Sequence, residues 1–169
     1  MTSLHDGVRT TTASAVEMRG VFGCYPTGVA ALCAVGDDGV PDGMAISTFA
    51  PVSLDPPMVS VCVQGTSATW PRLRRLGRLG LSVLAEGQDA VARSLAARGV
   101  DRFAGVDWTL TGEGAVLVDG AVAWLDCEVE REMLAGDHLI VLLRIHSLSG
   151  DPHRPPLVFH GGLFRGLRR

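Results

Sequence analysis

The chain contains no lysine, and all fifteen of its basic residues are arginine. That absence removes Schiff-base catalysis, a pyridoxal phosphate anchor and the lysine of a P-loop. Neither Gly-x-Gly-x-x-Gly after a strand nor His-Glu-x-x-His occurs, so any nucleotide is held without a Rossmann loop, and a zinc-protease helix is excluded. The four cysteines, Cys24, Cys33, Cys62 and Cys127, lie in apolar runs at irregular spacing with no Cys-x-x-Cys. They are expected to be buried free thiols in a reducing compartment rather than disulfides or metal ligands. The longest uncharged run, residues 20–36, is broken by Pro26 and glycines and falls short of the roughly 20 apolar residues that span a bilayer. The opening Met-Thr-Ser-Leu-His-Asp lacks a basic region followed by an apolar core, so a cytoplasmic location is expected and no membrane association. A net charge of −3, with no basic cluster beyond Arg72, Arg74, Arg75 and Arg78, argues against nucleic acid as a partner.

What is present is apolar and rich in turns. The 169 residues suit one domain, and 47% of them are hydrophobic. Such a content leaves apolar surface for a second subunit, so a homodimer is expected. Residues 1–10 read as a disordered tail and 11–167 as a single domain. A helix is expected from Thr11 to Phe22, capped by Thr12 or Ser14. Strands follow at 29–35 and 44–49 around the Asp37-Asp38-Gly39 turn, at 58–63, and at 78–84. Short helices are expected to Arg75 and over 88–98, and residues 112–120 read as irregular. Residues 121–132 alternate as a strand whose acidic side chains form a solvated face, followed by an apolar strand at 138–149 and a last short one at 157–159. Many short strands with few helices predict a mainly β fold, an antiparallel β-barrel with flanking helices.

The stretch Gly43 to Pro57 reads as the wall of a pocket for a flat ligand. Small, apolar and hydroxyl residues stand together there without a charge until Asp55, leaving backbone amides and the Ser47, Thr48 and Ser53 hydroxyls open to a ligand. Thr66-Ser67-Ala68-Thr69 before a helix offers hydroxyls and N–H groups to a phosphate, with Arg72, Arg74 and Arg75 nearby, although N-capping and an exposed arginine face explain the same residues. His138, after Gly136-Asp137 at the mouth of a strand, is the leading histidine. It is placed either structurally or to hold a carboxamide, a phosphate or a nicotinamide ring.

Taken in order, Thr27-Gly28-Val29, Ser53-Leu54-Asp55-Pro56-Pro57, Ser67-Ala68-Thr69-Trp70, Asp101-Arg102-Phe103-Ala104-Gly105 with Trp108, and Gly136-Asp137-His138 resemble the short-chain flavin reductases. These are the reductase components of two-component flavin-dependent monooxygenases. The resemblance covers about residues 15 to 167. It implies a split β-barrel homodimer that binds FAD or FMN, reduces it with NADH or NADPH, and supplies reduced flavin by diffusion to a partner monooxygenase. By carry-over, Met44, Ala45, Ile46, Ser47, Thr48, Ser53, Leu54 and Asp55 face the flavin ring, and Ser67 and Thr69 meet its phosphate. Arg102 and Phe103 lie near the flavin, while Gly136, Asp137 and His138 meet the nicotinamide nucleotide, with His138 as the catalytic residue. Hydride transfer between two cofactors needs no acid/base dyad, and none is evident. A flavin-binding carrier or sensor of the same fold is the alternative, as is a barrel that binds no flavin.

Overall fold

The computed structural model describes residues 13–167. The tail expected over residues 1–10 and a cap at Thr12 lie outside the described residues. Helix α1 (Ala15–Phe22) starts on Ser14, whose hydroxyl accepts from Glu17 N at 3.2 Å while the Glu17 carboxylate accepts from Ser14 N at 2.8 Å. This reciprocal capping box fixes the helix start without tertiary help. None of the α1 side chains is buried, although Val16, Val21 and Phe22 are apolar.

The chain then runs through β1 (Thr27–Gly28), β2 (Ala30–Val35), β3 (Pro41–Ile46), β4 (Ala50–Leu54), β5 (Pro57–Gln64), α2 (Trp70–Leu73), β6 (Leu79–Val83) and α3 (Asp89–Ala96). It continues with β7 (Trp108–Leu110), β8 (Val116–Val118), β9 (Ala123–Ala135), β10 (His138–Gly150), β11 (Val158–His160) and β12 (Leu163–Arg165). With 47% of the described residues in strands and 13% in helices, the protein is mainly β. Seven strands form one antiparallel sheet in the order β3-β2-β6-β9-β10-β5-β4.

Strand β2 explains how this sheet is covered on both faces. Its alternate residues Ala30, Leu32 and Ala34 enter one core with Val61, Leu73, Leu81, Val141 and Leu143, while Val29, Ala31 and Cys33 face a second core with Leu84, Leu95, Val116 and Val118. A strand buried on both faces reads as a nearly unbroken apolar run, which is how it stood out in the sequence. The first core joins β2 to β5, with three strands between them in the sheet, so the sheet curls around it. The edge strands β3 and β4 share no ladder among the described residues, and the barrel is therefore not closed.

Three expectations change. Residues 112–120 are not irregular: β7 and β8 pair as a hairpin, with Gly114 at φ 95° in the turn that the expectation took for disruption. The bend at Gly161-Gly162, at φ 59° and 78°, likewise leads into a further strand, β12, paired with β11. The acidic residues of β9 are ion-paired rather than simply solvated: Asp126 with Arg78 at 2.8 Å, Glu130 with Arg144 at 2.7 Å and Glu132 with Arg74 at 2.7 Å. Asp126 is buried, and its pairing with Arg78 is what makes a charge tolerable there.

Of the thiols, Cys33 and Cys127 are buried, but Cys24 is exposed and Cys62 half-buried. All four are free. Burial pushes the Cys127 thiol up to about 12 and keeps it protonated and inert.

Gly80 on β6 packs directly against β8 of the β7–β8 hairpin. A Cβ there would collide with the Val116 carbonyl and crowd the Leu117 side chain. Next to it the buried Ser82 hydroxyl accepts from Val118 N at 2.9 Å, so β8 is held down as well as packed. Gly80→Ala is expected to destabilise the fold by about 1–3 kcal/mol or more, as overpacking does. A thermal melt would show it, and an unchanged midpoint would mean that the hairpin can lift away at no cost.

Candidate functional site

A cleft of about 1170 Å³ opens beside β3. Five segments far apart in sequence form its walls: β3 with the turns before and after it, the end of β5, the 66–69 turn with α2, the loop after α3, and the first residue of β10. The turn after β3 is fixed by Thr48, whose hydroxyl accepts from Cys62 N at 2.8 Å and donates to the Cys62 carbonyl at 3.0 Å. The loop after α3 is fixed by Arg102, which donates to the Ala97 carbonyl at 2.7 Å, the Gly43 carbonyl at 2.9 Å and Thr69 Oγ1 at 2.6 Å. One half-buried guanidinium thus joins three walls of the cleft.

Met44, Ala45, Ile46, Ser47, Thr48, Ser67, Thr69, Arg102, Phe103 and His138 all line this cleft. Five other expected positions do not. Ser53, Leu54 and Asp55 lie beyond it, because the chain leaves the cleft to pair β4 along the outer edge of β5, where Leu54 is 96% exposed. Gly136 and Asp137 form the β9–β10 turn, and only the next residue, His138, reaches the cleft.

The lining residues also do different work from that expected. Ile46 turns into the core at 7% exposure, so its bulk fills the fold rather than the cleft. The Thr48 hydroxyl is committed to Cys62, which leaves its methyl and main chain for a ligand. Ser67 Oγ accepts from Trp70 N, the first residue of α2, at 3.2 Å, whereas the N-cap residue Thr69 makes no side-chain cap bond. Asp42, Cys62, Gln64, Leu76 and Arg98 belong to the lining but escaped the sequence reading, because no local motif marks them. Of the arginines near α2, Arg72 turns into the cleft while Arg74 pairs with Glu132.

His138 Nδ1 lies 2.7 Å from Asp137 Oδ1. The hydrogen bond from His138 holds the Asp137 carboxyl below its ordinary value, so it is ionised at neutral pH and can only accept. Nδ1 therefore carries the proton, and in the neutral ring Nε2 is left as an acceptor. The turn itself is anchored by Gly65 N, which donates to the Asp137 carbonyl at 2.8 Å.

A second cavity, of about 670 Å³, shares Ser47 and Thr48 with the first and is otherwise lined by residues such as Phe22, Tyr25, Thr27 and Phe159. The Thr27 hydroxyl is buried without a hydrogen-bond partner among the described residues.

The chemistry of the donor set suits a flat ring bearing an anionic tail. Met44 and Ala45 supply apolar contact, Ser47 a hydroxyl, and Ser67, Thr69 and Arg102 a polar end. The flavin reductase like domain model matches residues 22–168. The chain belongs to this family. Among its flavin reductase-like relatives, a flavin reductase of Pseudomonas putida is 36% identical over 149 residues, covering 88% of each chain. The reductase subunit HsaB of a flavin-dependent monooxygenase of Rhodococcus jostii is 38% identical over 151 residues, covering 89% of this chain and 77% of the relative. The solved NADH:FAD oxidoreductase SgcE6 of Streptomyces globisporus, in complex with NAD and FAD fragments, superposes with a TM-score of 0.85 at 40% identity, covering 90% of this chain and 92% of that one.

Thr48→Val separates the structural from the ligand-binding use of that hydroxyl in this flavin reductase-like chain. Losing both hydrogen bonds to Cys62 is expected to cost about 1–3 kcal/mol of stability while changing flavin affinity less than about twofold. Melting and flavin titration check the two parts. A large loss of affinity with unchanged stability would return the hydroxyl to the ligand.

Proposed function

We propose that this protein is an NAD(P)H:flavin oxidoreductase that reduces FMN or FAD and supplies the reduced flavin to a separate monooxygenase. The observation that carries this is the cleft itself: in a member of the flavin reductase family, the segments expected to hold ring, phosphate and nicotinamide nucleotide converge on one concavity. The relatives named as flavin reductase and as monooxygenase reductase subunit support the activity and the kind of partner.

The described residues act as one domain. Met44, Ala45, Ser47 and the main chain at Thr48 form the ring wall, Ser67, Thr69 and Arg102 take the phosphate nearest the ring, and Phe103 closes the side. His138 offers its Nε2 to the carboxamide or ribose of the nicotinamide nucleotide. Gly136 and Asp137 contribute by presenting His138 rather than by contact, and Ser53, Leu54 and Asp55 stand outside this cleft. When bound, flavin and nicotinamide supply the hydride chemistry between them. The chain binds, aligns and excludes water, and needs no side chain to move a proton.

A split-barrel homodimer completes the proposal. The α1 residues Val16, Val21 and Phe22 are each 69–75% exposed, and Leu54 on the edge strand and Leu134 on the β9–β10 hairpin are more exposed still. So much unburied apolar surface on the outer elements suits coverage by a second copy.

Mixing the protein with NADH and either flavin is expected to give continuous loss of NADH absorbance. Flavin binding without turnover would instead make it a carrier. His138→Ala is expected to raise the KM for NADH by about tenfold, the worth of one or two hydrogen bonds, while leaving flavin affinity within about twofold. Unchanged kinetics in that variant would remove His138 from the site.

A further inference from the structure

Two arginines cross from the 66–69 turn to β3 side by side. Arg102 reaches the Thr69 hydroxyl and the Gly43 carbonyl, while Arg72 donates from Nη1 to the Ala68 carbonyl and from Nε to Asp42 Oδ2, both at 2.6 Å. Their anchors are consecutive residues on each side of the gap, so the two guanidiniums are neighbours on the cleft wall. Each is held through Nε and Nη1, and neither Nη2 has a hydrogen-bond partner among the described residues. A guanidinium already fixed in place loses little further freedom when it takes up an anion.

The order of the two along β3 gives them different tasks. Gly43, the anchor of Arg102, is nearer the Ser47–Thr48 end of the strand, where the ring is placed. Asp42, the anchor of Arg72, is one step further out, where the cleft continues past Val40 and Leu76. Of the carboxylates at this end, Asp42 is paired with Arg72, while Asp38 accepts from Val40 N and Asp101 from Phe103 N, and Asp37 has no hydrogen-bond partner among the described residues, so Arg72 is the group there that can attract an anion. At about 1170 Å³ the cleft exceeds the range of roughly 300–1,000 Å³ usual for one small ligand.

FMN carries one phosphate and FAD two. We propose that Arg72 binds the second phosphate of FAD, the one that FMN lacks, and so makes FAD the preferred flavin of this protein. This rests on the flavin reductase reading above and names the substrate of that same cleft.

The test is a fluorescence-quenching titration of the wild-type protein, Arg72→Gln and Arg72→Lys with FAD, FMN and riboflavin, each variant checked by thermal melting. Wild type is expected to bind FAD about tenfold or more tightly than FMN, the worth of a charge-assisted hydrogen bond. Arg72→Gln is expected to weaken FAD by about 10- to 100-fold while FMN and riboflavin change less than about twofold, with Arg72→Lys in between. Equal losses for FAD and FMN would overturn the assignment, since Arg72 would then serve the shared phosphate or only the fold. Equal affinities in wild type would overturn it as well, and that measurement decides the matter even where Arg72→Gln does not fold. If wild type bound none of the three, the flavin reductase reading would fall together with it.

Discussion

The cleft exists because Arg102 satisfies three acceptors at once. Its neighbours Gly43, Thr69 and Ala97 belong to a strand, a turn and a helix end that share no ladder, so ordinary sheet pairing does not set their spacing. A planar, permanently charged group with donors in fixed directions does what a flexible ammonium does poorly. The absence of lysine is thus consistent with the architecture: where the walls must be held apart at a defined distance, the chain uses guanidinium. Arg72 likewise joins two segments, through Asp42 and Ala68, and Arg78 pairs with the buried Asp126.

How much of this was legible in the sequence depends on range. β2, β5 and β10 stood out because burial on one or both faces writes a pattern into consecutive residues, and the α1 cap is equally local. The β7–β8 hairpin was missed because three glycines dominate the segment, while the strand that matters, Val116 to Val118, is only three residues long. Those glycines turn the chain or end it rather than disorder it. The second strand after Gly161-Gly162 was lost for the same reason.

The site divides along the same line. Met44 to Thr48 can be read as a wall because the residues are contiguous, yet the same run continues to Asp55 after the chain has left this cleft. Continuous small and hydroxyl residues look alike whether they line a cleft or run along a sheet edge. Only the pairing of β4 with β5 decides which, and that depends on residues elsewhere. Nor does the local pattern of arginines around α2 say which turns inward. Asp42, thirty residues away, selects Arg72, and Glu132, on another strand, takes Arg74.

The position of His138 has a further consequence. It opens β10 opposite Gln64 and Ala135, in a ladder whose phase is set by Val141 and Leu143, both fully buried. Side chains alternate with a period of two, so sliding β10 by a single residue would carry Leu139 to the cleft and turn the imidazole away. The core of this protein therefore acts as a ruler for its site. Substitutions at Val141 or Leu143, which do not line the cleft, are positioned to alter what the imidazole presents there through registration alone.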